Sequence, residues 1–167
     1  MSDADEIFKT LRAWNFAVGL GDELHQHRDQ LKDTIIWNIE AGLKLTAPDI
    51  GQAEMKRTAL YHRVRTFMQT HEFLVLPTVQ VPPFDVNQPF VKEINGVPMT
   101  TYIDWMKSCY YITTFGHPAI SVPCGFTADG LPVGLQIVGR HGDDWGVLQL
   151  AYAFEQATQV WRRRPAL

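Results

Sequence analysis

At 167 residues, 46% hydrophobic and 20% charged, the chain has the make-up of one globular domain and enough length to bury a core. A formal net charge of −3 leaves no electrostatic footprint for nucleic acid or an anionic membrane surface, and no apolar run approaches the roughly 20 residues of a membrane helix. The acidic opening Met1-Ser2-Asp3-Ala4-Asp5-Glu6 is the reverse of a basic signal-peptide start, and Cys109 and Cys124 form neither a disulfide framework nor a CxxC motif, so the expectation is a soluble cytoplasmic protein with two buried free thiols.

Ser2 and Asp5 have capping-box spacing ahead of Ile7, Leu11, Trp14 and Val18, which predicts a first helix that ends where Gly19 and Gly21 interrupt. After the polar His25–Gln30 segment, Leu31, Ile35, Ile39 and Leu43 form a second helical stripe with Gly42 near its end. A third helix, predicted to be the longest, starts at Thr46 with Asp49 three residues on and turns Ile50, Ala53, Leu60, Val64 and Phe67 inward. Phe73–Leu76 is a continuous apolar run ending in Pro77 and predicts a short strand buried on both faces. From Val79 to Met99, Pro82, Pro83, Pro89 and Pro98 argue for a long loop draped over a site. Tyr102–Tyr111 reads as a short aromatic helix, and Asp143 or Asp144 caps a final one carrying Val147, Leu148, Ala151, Tyr152, Phe154 and Trp161.

Between these helices, the apolar runs Ala119–Val122 and Val133–Val138 flank Thr127-Ala128-Asp129-Gly130, a turn signal that predicts a β-hairpin. Gly134 lies inside the second run, at a position where glycine marks close approach by another group. The steps Leu76-Pro77-Thr78, Gly116-His117-Pro118-Ala119-Ile120-Ser121-Val122-Pro123 and Gly130-Leu131-Pro132-Val133-Gly134-Leu135-Gln136 together resemble the C-terminal part of amidase-signature enzymes, which hydrolyse carboxamide C–N bonds. The resemblance runs from about the first helix to the end of the chain. It implies an α/β fold, a partial amidase-signature fold in which a mixed β-sheet with a C-terminal β-hairpin is flanked by α-helices, in one domain over residues 1–167. Few strands for a sheet covered on both sides point to a missing half, either cut away at a gene boundary before Met1 or supplied by a second chain.

The family's adjacent serines and upstream lysine base would lie in that other half. Here the serines are Ser2, Ser108 and Ser121, none adjacent to another and none in a glycine-rich loop. Ser121, inside a strand, reads as a hydroxyl bonded to a neighbouring backbone group, and Ser108 beside Lys107 on a helix points away from it. Cys124 with His117 lacks an orienting partner, and the six histidines read as surface residues with no HExxH spacing. Gly139-Arg140-His141-Gly142-Asp143 lacks the order of a phosphate loop, and Arg162-Arg163-Arg164 reads as cations at a helix C-terminus.

No catalytic, metal or cofactor residue is therefore assigned. Thr78, Trp105, Tyr110 and Gln136 are the candidate substrate contacts, with core packing the competing role for Trp105 and Tyr110. The resemblance departs at Ile112-Thr113-Thr114-Phe115, where many relatives carry an asparagine, so no amide contact is carried over there. It implies a small amide substrate and pairing with an N-terminal half of the amidase fold or self-association, while charge and hydropathy argue for neither nucleic acid nor membrane as partner. A binding or scaffold module, and a truncated A-type subunit of a tRNA-dependent amidotransferase, stand as alternatives.

Overall fold

The computed structural model describes residues 1–165. Two compact units follow each other along the chain, Met1–His62 and the residues from Arg63 onward.

The first unit opens with α1, Ala4–Gln26, whose N-cap is Asp3 and which makes no side-chain cap hydrogen bond. The expected Ser2/Asp5 box is not formed; Asp5 instead accepts from Lys9 one turn on, at 2.9 Å. The helix also runs through Gly19 and Gly21, because a glycine in an exposed helix interior costs only about 1 kcal/mol relative to alanine and does not by itself break the helix. After a 3₁₀ turn at Arg28–Gln30, α2 spans Asp33–Leu43 and buries Ile39 completely, which contributes about 2 kcal/mol. The two helices approach so closely that a Cβ at Gly42 would overlap the backbone carbonyl of Ala13. Next comes α3, Ala47–Phe67, shorter than α1 rather than the longest. Its predicted capping box is present: the Thr46 amide and hydroxyl donate to Asp49 Oδ2 at 2.8 and 2.6 Å, and these bonds hold the Asp49 carboxyl below its usual pKa.

In the second unit, β1 (Leu74–Pro77), β4 (Ala119–Phe126) and β5 (Pro132–Val138) form a sheet in the order β1-β5-β4. Both pairings are antiparallel, which corrects the expected mixed sheet, while the predicted hairpin stands. Its turn is closed by Thr127, whose amide donates to the Leu131 carbonyl and whose hydroxyl accepts from the Leu131 amide, with Gly130 at φ 83°. One face carries Ile120, Val122, Leu135 and Ile137 and packs on α5, Asp144–Thr158, through Ala151, Leu150 and Phe154. Asp143 caps α5 as predicted, accepting from the Gly146 amide at 2.9 Å.

Strand β1 is not buried on both faces, since Val75 is 47% exposed at an edge of the sheet. The proline-rich segment is not wholly irregular either. Glu93–Ile94 (β2) pairs with Val97–Pro98 (β3) around Asn95-Gly96, both with positive φ, the residue pair that a two-residue hairpin turn requires. Pro98 is tolerated because it falls in the non-hydrogen-bonded pair with Glu93, and the next bond of the ribbon runs from the Met99 amide to the Lys92 carbonyl at 2.8 Å. On α5 and the turn beyond it, Leu148, Tyr152 and Trp161 face solvent. Phe67 is likewise exposed and stacks on His71 at 4.0 Å. The arginine cluster lies beyond the end of α5, in and after a 3₁₀ turn at Val160–Arg162, with Arg163 over the Phe126 ring at 4.6 Å.

Candidate functional site

The face of the sheet opposite α5 is polar where the three strands meet. Cross-strand neighbours share a face, so the registers Leu76↔Gln136 and Ser121↔Gln136 bring Gln136 beside Ser121, and the Thr78 amide donates to the Gly134 carbonyl one step further along. Across the central strand, the Thr78 and Ser121 hydroxyls meet at 2.8 Å. They meet because residue 134 is glycine: a Cβ there would lie 2.8 Å from Ser121 Oγ and 2.9 Å from Thr78 Oγ1. Close approach at Gly134 is thus as predicted, whereas the Ser121 hydroxyl bonds a side chain rather than a backbone group.

A short helix closes the end of this ledge. Thr101 donates through its amide and hydroxyl to Asp104 Oδ2 at 2.7 and 3.0 Å, fixing a 3₁₀ turn at Asp104–Met106 that leads into α4, Lys107–Phe115. The Lys107 amide, an orphan donor of the first turn, is taken by Gln80 Oε1 at 2.6 Å. Ser108 Oγ and the Cys109 thiol both donate to the Thr78 carbonyl at 2.9 Å, and Gln136 Nε2 donates to the Ser108 carbonyl at 3.1 Å. Sheet and helix are thereby tied through Thr78 and Gln136, two of the residues singled out from sequence. Trp105 contacts Phe84 of the proline-rich segment edge-to-face at 5.3 Å, so the aromatic turn does face that loop. Tyr110 lies away from solvent, 3% exposed, against Tyr111.

The chemistry of the ledge follows from its proton count. Two hydroxyls joined by one hydrogen bond keep one O–H free to donate, and Gln136 keeps its amide oxygen and second N–H. These groups are neutral and complement a neutral polar ligand group. They do not make a nucleophile, because Ser121 has as its partner another alcohol, which cannot take up its proton. Nor does Cys109: burial raises its thiol pKa, only partly offset by its contact with Ser108. Cys124 is exposed, contrary to expectation, at the bulge that separates Pro123 from Gly125 in the ladder.

His117 is buried rather than a surface residue, just past the left-handed Gly116 that ends α4. Its Nδ1 donates to the Phe115 carbonyl at 3.2 Å, His141 Nδ1 donates to the Gly116 carbonyl at 3.2 Å, and the two rings sit 5.8 Å apart. Desolvation lowers the His117 pKa, the Phe115 carbonyl opposes this, and the neighbouring His141 adds to it. Among the described residues no cluster of three or more His, Cys, Asp or Glu is placed to hold a metal, and no helix is long and apolar enough to cross a membrane. In the first unit an open groove of about 710 Å³ lies beside His25, Trp37 and the Arg28–Glu40 ion pair, which satisfies its own charges at 2.8 Å.

Sequence reasoning missed Ser121, Ser108 and Gln80 as members of this network. Ser121 was accessible through strand register, since it shares Gln136's face two residues from Gly134; the Gln80 contact spans 27 residues and has no local signal.

Residues 20–148 match the family model described as Amidase. Similar proteins include the acylamidase of Rhodococcus erythropolis, 36% identical over 141 residues that make up 83% of this chain and 29% of the relative. Another is the A-type subunit of the glutamyl-tRNA(Gln) amidotransferase of Geobacillus thermodenitrificans (strain NG80-2), 37% identical over 116 residues, 70% of this chain and 22% of the relative. A solved amidase superposes with a TM-score of 0.84 at 25% identity over 92% of this chain and 35% of its own. A bacterial aryl acylamidase of the amidase-signature family shares the fold with a TM-score of 0.81 at 24% identity, covering 99% of this chain and 37% of its own. The chain spans less than a third of the length of the first of these relatives and less than a quarter of the second.

Proposed function

The chain belongs to the amidase family, and from that premise we propose that it is the C-terminal portion of one amidase-signature domain, shaping the pocket for a small carboxamide whose C–N bond is hydrolysed by a Ser–Ser–Lys apparatus outside it. The observation that carries this reading is the neutral ledge of Thr78, Ser121 and Gln136, with one free hydroxyl donor and an amide that can both donate and accept. A carboxamide presents the complementary acceptor and donors, and two neutral partners avoid the desolvation cost of a buried charge. Thr78 and Gln136 are the proposed contacts, Trp105 forms a wall with Phe84, and Tyr110, being buried, supports α4 from within. The reading carries a cytoplasmic setting, no cofactor, no nucleic acid or membrane partner, and association with the remainder of the fold. A second reading, part of an A-type amidotransferase subunit, draws on the similarity to the Geobacillus protein.

The test is an amide-release assay on the purified chain with simple carboxamides and anilides. No hydrolysis above buffer is expected, because neither an activated nucleophile nor a base for one is present. Turnover that disappears in Ser121→Ala would overturn the assignment of catalysis to residues elsewhere.

A further inference from the structure

We propose that the outer face of α5 is a contact between two copies of this chain, packed antiparallel about a two-fold axis. Trp145, Gln149, Tyr152 and Gln156 follow one another at spacings of four, three and four residues, so they line up along the side of the helix turned away from the sheet. Trp145 is 70% exposed and Tyr152 65%, with Leu148 beside them at 50%. A single exposed aromatic is ordinary on a surface, whereas a contiguous row marks a place where something docks. After Asp144, the one charged residue of α5 is Glu155, half-buried at the margin of this row. Charge gathers instead at the two ends, with Asp143 and Asp144 at the start of the helix and Arg162, Arg163 and Arg164 just past its finish.

The occupant follows from the way this surface complements itself. In a two-fold contact the same patch is used by both copies, so it must match its own reverse. A parallel pair of α5 helices would set carboxylate on carboxylate and guanidinium on guanidinium. An antiparallel pair sets the acidic end of each helix beside the basic end of the other, and among the described residues neither Asp144 nor Arg162 forms an ion pair within the chain. With Tyr152 level with Gln156 of the second copy, Gln149 comes level with Gln159 and Trp145 with the turn that carries the exposed Trp161. Aromatic area and primary amides then meet without any charge between them, and Ala153, at the flank of the row, leaves room for the helices to approach. The Arg162 guanidinium already lies over the Trp161 ring at 5.1 Å, which places a cation at the edge of that exposed aromatic surface. One helix pair buries less than the roughly 1,600 Å² of a standard interface, so the association is reversible, with a dissociation constant on the order of micromolar.

The test is sedimentation equilibrium of the purified full chain, of Asp144→Arg, of Arg162→Glu and of the two variants mixed in equal amounts, with circular dichroism to show that each is folded. The chain should dimerise, and each variant alone should need at least about tenfold more protein to do so, because both ends of its helix then carry the same sign. The mixture should dimerise as the unaltered chain does, since one variant is basic at both ends and the other acidic at both. Tyr152→Glu, which puts a charge in the middle of the row, should weaken association at least about tenfold and leave the helix content unchanged. A chain that stays monomeric at about 100 μM overturns the proposal. So does a dimer indifferent to Tyr152→Glu, or a mixture no better than its components, because either result puts the contact on another face. A dimer that gives way to a one-to-one complex when the unmatched portion of the Rhodococcus acylamidase is co-expressed assigns the face to the remainder of the fold and overturns it as well.

Discussion

At the scale of single residues, Gly134 decides whether the ledge exists. Any side chain there must push apart the Thr78 and Ser121 hydroxyls, which now meet across it. Gly134→Val should lower stability by about 1–3 kcal/mol, read as the denaturation midpoint, and Gly134→Ala by less, with a smaller penalty in a Ser121→Ala background. An unchanged midpoint in Gly134→Val would show that the strands tolerate a side chain between them. His117 gives a pH-dependent prediction. Its folded pKa lies below the ordinary 6.5, so the unfolded chain binds the proton more readily. The contribution of His117 is therefore fully present above pH 6.5 and is lost as the pH falls below it toward the folded pKa. The midpoint should drop between pH 7.5 and 5.5, and the drop should shrink in His117→Gln; equal drops would assign the effect to other groups. Gly134 could be read from sequence because a glycine within a β-branched run weakens the strand unless something must approach it closely, whereas the burial of His117 depends on a neighbour, His141, 24 positions away in the chain.

Among the elements, local signals that satisfied backbone groups were the dependable ones. Thr46 with Asp49, Asp143 before α5 and the Thr127–Gly130 turn each form the predicted structure, because each supplies a hydrogen bond that the backbone would otherwise lack. The same kind of signal, Asn95-Gly96, lies inside the proline-rich segment and forms its hairpin turn, because Pro98 falls where the ribbon uses no N–H. Ser2/Asp5 failed as a cap and Gly19/Gly21 failed as a stop because packing along α1, not its ends, sets that helix. That packing is tested at Gly42, where the obstacle is the Ala13 backbone, which cannot swing aside as a side chain can. Gly42→Ala should lower stability by about 1–3 kcal/mol, read as the denaturation midpoint, and its helix content, measured by circular dichroism at low temperature, should hold. A neutral Gly42→Ala would mean that α1 and α2 can separate without loss.

For the molecule as a whole, the sequence reached the family and the α/β architecture but not the sheet's strand directions, because a mixed sheet needs partners that this segment does not contain. The polar ledge and the exposed stripe of Trp145, Leu148 and Tyr152 on α5 both describe a fold with surfaces left open. The central claim is that the chemistry resides outside the chain while the chain is needed for it. It is tested most directly by measuring anilide hydrolysis with this chain alone, with the unmatched portion of the Rhodococcus acylamidase alone, and with the two co-expressed. The account expects activity only in the combination, reduced by at least about tenfold when Thr78→Val and Gln136→Leu are introduced together, the loss of roughly one hydrogen-bonding partner in the transition state. Hydrolysis by this chain alone, or a combination whose rate is indifferent to both substitutions, would contradict it.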